Sequence, residues 1–244
     1  MKTENLRVES GAVEVLAKWR LARSPQINVA GRIISAEEII AKLGAHMTDE
    51  RKIRIDKVIE QRTFHVATVA EHLYDIGNIS AVMRSAESFG FLPFHIIERP
   101  GAKYKMSDRI SRGSEKWLDI HRHTSTEECL SELRGSGYKI YATDLTADAT
   151  IDEIDFSEKS AVVFGNEHDG ITEAARAHVD KCFILPMRGF AQSFNISVAA
   201  ALTFQIIHRQ RSTHGSCGDL SLEEKMSLRA QYYLRTLTAA EKYF

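Results

Sequence analysis

Three stretches hold the residues most able to do chemistry. In "GNISAVMRSAESFG", residues 77–90, Ile79, Val82, Met83 and Ala86 make one apolar helical face, and Arg84 lies off it with its guanidinium free to project. Asn78 is suited to cap that helix and Gly90 to end it. In "VVFGNEHDGIT", residues 162–172, Gly165 and Gly170 follow directly on a strand-like run. In "LPMRGFAQSFNISVAAALTFQIIHRQR", residues 185–211, a polar loop from Arg188 to Ser193 separates two apolar segments. The second segment finishes on His208, Arg209 and Arg211. Two polar, glycine-bearing loops at the carboxyl ends of strands would make a pocket with exposed backbone donors and acceptors. Each loop alone also serves as a tight strand-to-helix turn.

What is missing narrows the chemistry. Where a dinucleotide-binding fold would carry GxGxxG, the chain reads Tyr74-Asp75-Ile76-Gly77-Asn78. There is no Walker lysine loop, no GxSxG elbow and no HExxH. His121 and His123 share one face of a strand, but two histidines without further ligands are more often structural, so no metal is expected. Cys129, Cys182 and Cys217 are odd in number and widely spaced, which implies neither a disulfide framework nor a CxxC site.

Several elements must position these groups. Candidate strands at 65–71, 94–98, 117–122, 138–143, 160–165 and 182–187 alternate with helical patterns at 79–89, 126–135, 172–179, 195–208 and 222–238. That alternation predicts an α/β fold with a largely parallel sheet. The helix after Asn195 is apolar enough to be buried nearly all round. Residues 1–50 read as a helical extension, with a capping pattern at Ser35-Ala36-Glu37-Glu38. From Thr48 to about Arg62 runs a further helix rich in Arg and Lys, leading residues 51–211 as the main domain; residues 212–244 read as a helical tail. At 244 residues the chain is long enough for a substantial core, and a net charge of −1 leaves nucleic acid open, because a local basic face matters more than the total. Without a signal-like core or an apolar run of about 20 residues, a cytoplasmic protein with no membrane partner is expected.

Asn78 with Arg84, then "FGNEHDGI", then "LPMRGFAQSFNISVAAAL", in that order and spacing, resemble the three motifs of the SPOUT superfamily, in its TrmH-like RNA 2′-O-methyltransferase branch. The resemblance covers about 62–211. It implies a six-stranded, mainly parallel α/β fold with a C-terminal deep trefoil knot, and S-adenosylmethionine bound within it. Thr143, Leu145, Gly165, Asn166, Glu167, Gly170, Leu185, Met187, Ser193, Phe194 and Asn195 would line the cofactor site. Arg84, Asn78, Glu167, Ser193 and Asn195 would serve the reaction, with Arg84 acting either as a base or as a phosphate-orienting group. Two departures are visible: Gly77 stands where relatives often have His, and Phe194-Asn195-Ile196 replaces Leu-Asn-Val.

The same resemblance implies a homodimer in which each subunit helps complete its partner's site. Residues 1–50 do not resemble the ribosomal-protein-like domain of the ribosomal RNA branch. That favours tRNA, at the 2′-hydroxyl of guanosine 18 in the D-loop. Methylation of ribosomal RNA or of another tRNA position, and a non-catalytic RNA-binding dimer, are the alternatives. RNA contact is expected from Arg54, Arg62, Lys103, Lys105, Arg109, Arg112, Arg209 and Arg211, as phosphate ligands around the pocket.

Overall fold

The computed structural model describes residues 20–99, 101, 113–213, 215 and 218–244. Among the described residues, contacts divide the chain into two units, one of Arg20 with residues from 65 to 215, the other of residues 21–64 with 218–244. This corrects boundaries drawn at 50 and 211. The basic helix groups with the C-terminal helix instead of leading the sheet domain.

The smaller unit opens with a hairpin, β1 (Gln26–Val29) and β2 (Arg32–Ser35), where helix was expected. Ile27 and Val29 are buried in alternation with exposed neighbours, a period of two that no helix satisfies. Ala30 and Gly31, both at positive φ (49° and 88°), make the two-residue turn, a conformation whose twist matches the flanking strands. Helix α1 (Ala36–Gly44) follows, with the Ser35 hydroxyl accepting from the Glu38 N–H at 3.2 Å. Helix α2 (Asp49–Ile59) is capped by Thr48, and α7 (Leu222–Thr236) by a reciprocal Ser221–Glu224 box. Helices α1 and α2 both pack on α7, and Arg229 Nε donates to Asp56 Oδ1 at 2.7 Å.

In the larger unit, β3 (Val66–Glu71), β4 (Pro93–Ile97), β5 (Asp119–His123), β6 (Lys139–Thr143), β7 (Ser160–Phe164) and β8 (Lys181–Phe183) form one parallel sheet in the order β5-β4-β3-β7-β6-β8. β3, β4 and β7 are buried at every position, as parallel strands covered on both faces must be. One face carries α3 (Ile76–Ser88) and α6 (Ile196–Thr213), with Val82, Met83, Phe204 and Ile207 in its core. The other carries α4 (Thr126–Gly135) and α5 (Glu173–His178), with Cys129, Leu130, Leu133 and Ala175. The chain runs outward from β3 to β5 and then builds the opposite half, so the strand order reverses between β3 and β7. Such a switch point is where open α/β sheets place ligands.

One detail departs from expectation. The last strand stops at Phe183; beyond it only Ile184 makes a bridge, to Thr150, and Pro186 offers no donor to continue the ladder. On the single chain, Val198 and Leu202 of α6 stand 45% and 41% exposed.

Candidate active site

The segments that follow β6, β7 and β8 enclose a cavity of about 440 Å³. After β7 the chain turns back on itself: the Asn166 N–H donates to the Gly170 carbonyl at 2.8 Å and the Gly170 N–H to the Asn166 carbonyl at 2.9 Å. A Cβ on Gly165 would sit 2.3 Å from the Gly170 carbonyl carbon, so nothing larger than glycine closes this loop. Gly170 itself holds φ at +69°. The Asn166 side chain is spent on architecture, accepting from the His168 N–H at 2.9 Å and donating to the His72 carbonyl at 2.8 Å.

Glu167 therefore points out of a rigid loop. Its Oε2 accepts from the Tyr74 N–H at 3.0 Å and its Oε1 from Asn78 Nδ2 at 2.7 Å. Asn78 Oδ1 in turn accepts from Asn195 Nδ2 at 3.3 Å. Asn195 Oδ1 accepts from the Ser197 N–H at 2.9 Å, and so caps α6 while its amide nitrogen serves the network. Burial pushes the Glu167 carboxyl up, but the bonds from Tyr74 and Asn78 outweigh it and hold it below the ordinary value. Glu167 is thus an ionised acceptor at neutral pH. It fixes which way the Asn78 amide faces. Asn78 is free for this because Asp75, not Asn78, caps α3: its side chain accepts from the Gly77 N–H at 2.7 Å.

Every residue named above for the cofactor site lines this cavity: Thr143 and Leu145 after β6, Gly165 to Glu167 with Gly170 after β7, and Leu185, Met187 and Ser193 to Asn195 after β8. Ser193 is exposed. Arg84 is exposed on α3 and is not part of the lining.

The basic residues separate. Arg54 and Arg209 are exposed. Lys103, Lys105, Arg109 and Arg112 lie outside the described residues. Arg62 and Arg211 are corrections: each is only 2% exposed, too deep to meet a phosphate. The Arg211 guanidinium donates to the carbonyls of Phe156, Ser157 and Glu158 at 3.3, 3.1 and 3.4 Å, pinning the end of α6 to the chain ahead of β7.

Sequence reasoning missed three contributors. Asp144 lines the cavity beside Arg176, with which it forms an ion pair. Glu71, fully buried at the end of β3, accepts from Thr126 Oγ1 at 2.8 Å and from Thr172 Oγ1 at 2.7 Å, and so ties the starts of α4 and α5 to the central strand. The signal was present in Glu71, a single acid closing an apolar strand; a buried carboxylate needs such donors.

Residues 65–205 match the SpoU rRNA Methylase family. A tRNA (guanosine(18)-2′-O)-methyltransferase of Borreliella burgdorferi is 32% identical over 198 residues, 80% of this chain and 89% of the relative. One of the same name from Thermus thermophilus is 34% identical over 69% of this chain and 87% of its own length. Among solved structures, the Aquifex aeolicus TrmH/SpoU tRNA modifying enzyme superposes with a TM-score of 0.72 at 29% identity, covering 78% of this chain and 98% of that one.

Proposed function

The chain belongs to the SpoU rRNA Methylase family, and we propose that it transfers a methyl group from S-adenosylmethionine to the ribose 2′-hydroxyl of guanosine 18 in tRNA. Relatives named for that reaction support the substrate. In this chain, the observation that carries the proposal is the Asn78–Glu167–Asn195 network at a cavity enclosed by three strand-end loops.

The residues present fit the cofactor. The cavity falls within the range of about 300–1,000 Å³ usual for small-molecule sites. Asp144, Glu167 and Asp169 outnumber Arg176 in its lining, a balance that suits a cationic sulfonium. Leu145, Leu185, Met187 and Phe194 offer apolar walls to an adenine. When bound, S-adenosylmethionine supplies an electrophilic methyl carbon on sulfur. The chain's own residues then have to hold a ribose hydroxyl in line with it and receive one proton. Asn78 and Asn195, locked by Glu167, position that hydroxyl. Arg84, exposed beside them in sequence but outside the lining, orients a neighbouring phosphate by bidentate contact; a guanidinium pKa above about 12 makes it a poor base. We extend the proposal to the backbone: a trefoil knot through these loops would hold them together without a covalent link.

A homodimer is part of the same proposal. Val198 and Leu202 are 45% and 41% exposed and lie one turn apart on α6, an apolar strip on its surface. Leu202→Asp should give a monomer in sedimentation; an unchanged dimer would place the interface elsewhere.

Transfer of labelled methyl to unmodified tRNA, followed by nuclease mapping, tests the activity. Label at guanosine 18 is expected, and label in ribosomal RNA alone would overturn the assignment. Arg84→Ala should lower transfer by at least ~100-fold while calorimetric cofactor affinity is retained. Lost cofactor affinity would remove Arg84 from the RNA side.

A further inference from the structure

On the far edge of the sheet from the cavity, β4 and β5 pair in parallel register with His95 opposite His121. Side chains alternate along a strand, so His121 and His123 project to one face. The His95 ring stacks on both, with centroids 4.3 Å from His121 and 5.2 Å from His123. Helix α4 covers this face and delivers Cys129. Its Sγ lies 3.8 Å from His95 Nδ1, and the same Nδ1 lies 3.0 Å from His123 Nε2. Imidazole and thiol donor atoms of His95, His123 and Cys129 all fall within 4.8 Å of one another. His121 is turned away, its Nε2 2.9 Å from Asp119 Oδ2.

We propose that His95 Nδ1, His123 Nε2 and Cys129 Sγ form a binding site for a zinc-class transition-metal ion that braces the β4–β5–α4 corner. This goes beyond the methyl-transfer proposal and does not rest on it. A tetrahedral ion with metal–nitrogen and metal–sulfur bonds of about 2.0 and 2.3 Å sets its ligands roughly 3.3 Å (N to N) and 3.5 Å (N to S) apart. The observed 3.0 and 3.8 Å lie close on either side. Two imidazoles and a thiolate form a soft donor set, which selects zinc, cobalt or copper over magnesium and calcium.

The surroundings agree. His95 and Cys129 are buried and His123 is half-buried, so an ion would enter past His123. An entering ion displaces the Cys129 thiol proton: one metal–sulfur bond forms, one S–H bond breaks and one proton leaves to solvent. Glu128 and Glu132, exposed on α4, bring negative charge to this corner, and the Arg20 guanidinium opposes it at both histidines.

The test uses the full-length, tag-free protein, stripped with chelator and titrated with cobalt(II). One ion per chain is expected, with thiolate-to-cobalt charge-transfer absorption and intense visible bands of a tetrahedral centre, both lost on adding zinc(II). Cys129→Ser should abolish the charge-transfer band, and His123→Gln should weaken binding at least tenfold. Cys182→Ser and Cys217→Ser should leave both unchanged. Circular dichroism checks that each variant folds. A wild-type protein with no charge-transfer band would reduce the cluster to a histidine–histidine hydrogen bond and overturn the proposal, as would a band that survives in folded Cys129→Ser.

Discussion

At the start of α6, Asn195 stands exposed, its oxygen capping the helix and its nitrogen reaching Asn78. At the end of the same helix, Arg211 is 2% exposed and spends its guanidinium on three backbone carbonyls. The first end is a polar group held in place beside open space. The second is a charge with no access to anything but protein. Hydrogen bonding alone does not separate a site residue from a structural one, since both ends are well bonded. What separates them is whether the bonded group still faces solvent and a cavity.

This contrast can be broken at four points. The largest effect is expected from Arg211→Met, which leaves three carbonyls without a charged donor and should cost about 2–4 kcal/mol in urea unfolding, with methyl transfer per folded molecule unchanged. A cost near zero together with weakened RNA binding would move Arg211 to the RNA surface. Asn195→Ala should show the opposite balance: roughly 1 kcal/mol from the lost cap, but a drop in transfer of tenfold or more. If transfer survives, the Asn78–Asn195 bond serves only to dock α6 against α3.

Glu167 supplies a pH test at the same end. Its folded value is depressed, so its ionisation contributes stability that is present above the ordinary glutamate value of about 4.3 and lost as pH falls through the lower folded value. Urea midpoints of wild type and Glu167→Gln should therefore differ at pH 7 and converge on acidification. A constant gap would mean the carboxylate charge is not what Asn78 and Tyr74 hold. The smallest effect belongs to Arg209, exposed and 4.0 Å from Asp152. Arg209→Ala should change stability by no more than about 0.5 kcal/mol, yet reduce the salt dependence of tRNA binding by about one unit of slope.

Much of the larger unit was legible in the residue order. Apolar runs of four to six residues alternating with 3.6-residue periodicity mark β3 to β8 and the helices between them, because burial on both faces of a parallel sheet imposes that pattern directly. The cavity was legible too, as glycine and small polar residues at strand ends leave few other conformations. Local logic failed where two local solutions compete. Asn78 is a good cap, but Asp75 three residues earlier took the cap and left Asn78 for Glu167. The hairpin at 26–35 was lost inside a stretch read as helix, although Ile27 and Val29 alternate.

By itself, then, the sequence determined the strands and helices of the sheet domain, the three loops and the family, since each depends on residues near one another in the chain. Only the tertiary structure decided which arginines are buried, which acid orients Asn78, and that His95 and Cys129 meet His123. Those outcomes depend on which distant segments share a dry space, and charge or donor chemistry in a residue list carries no information about that distance.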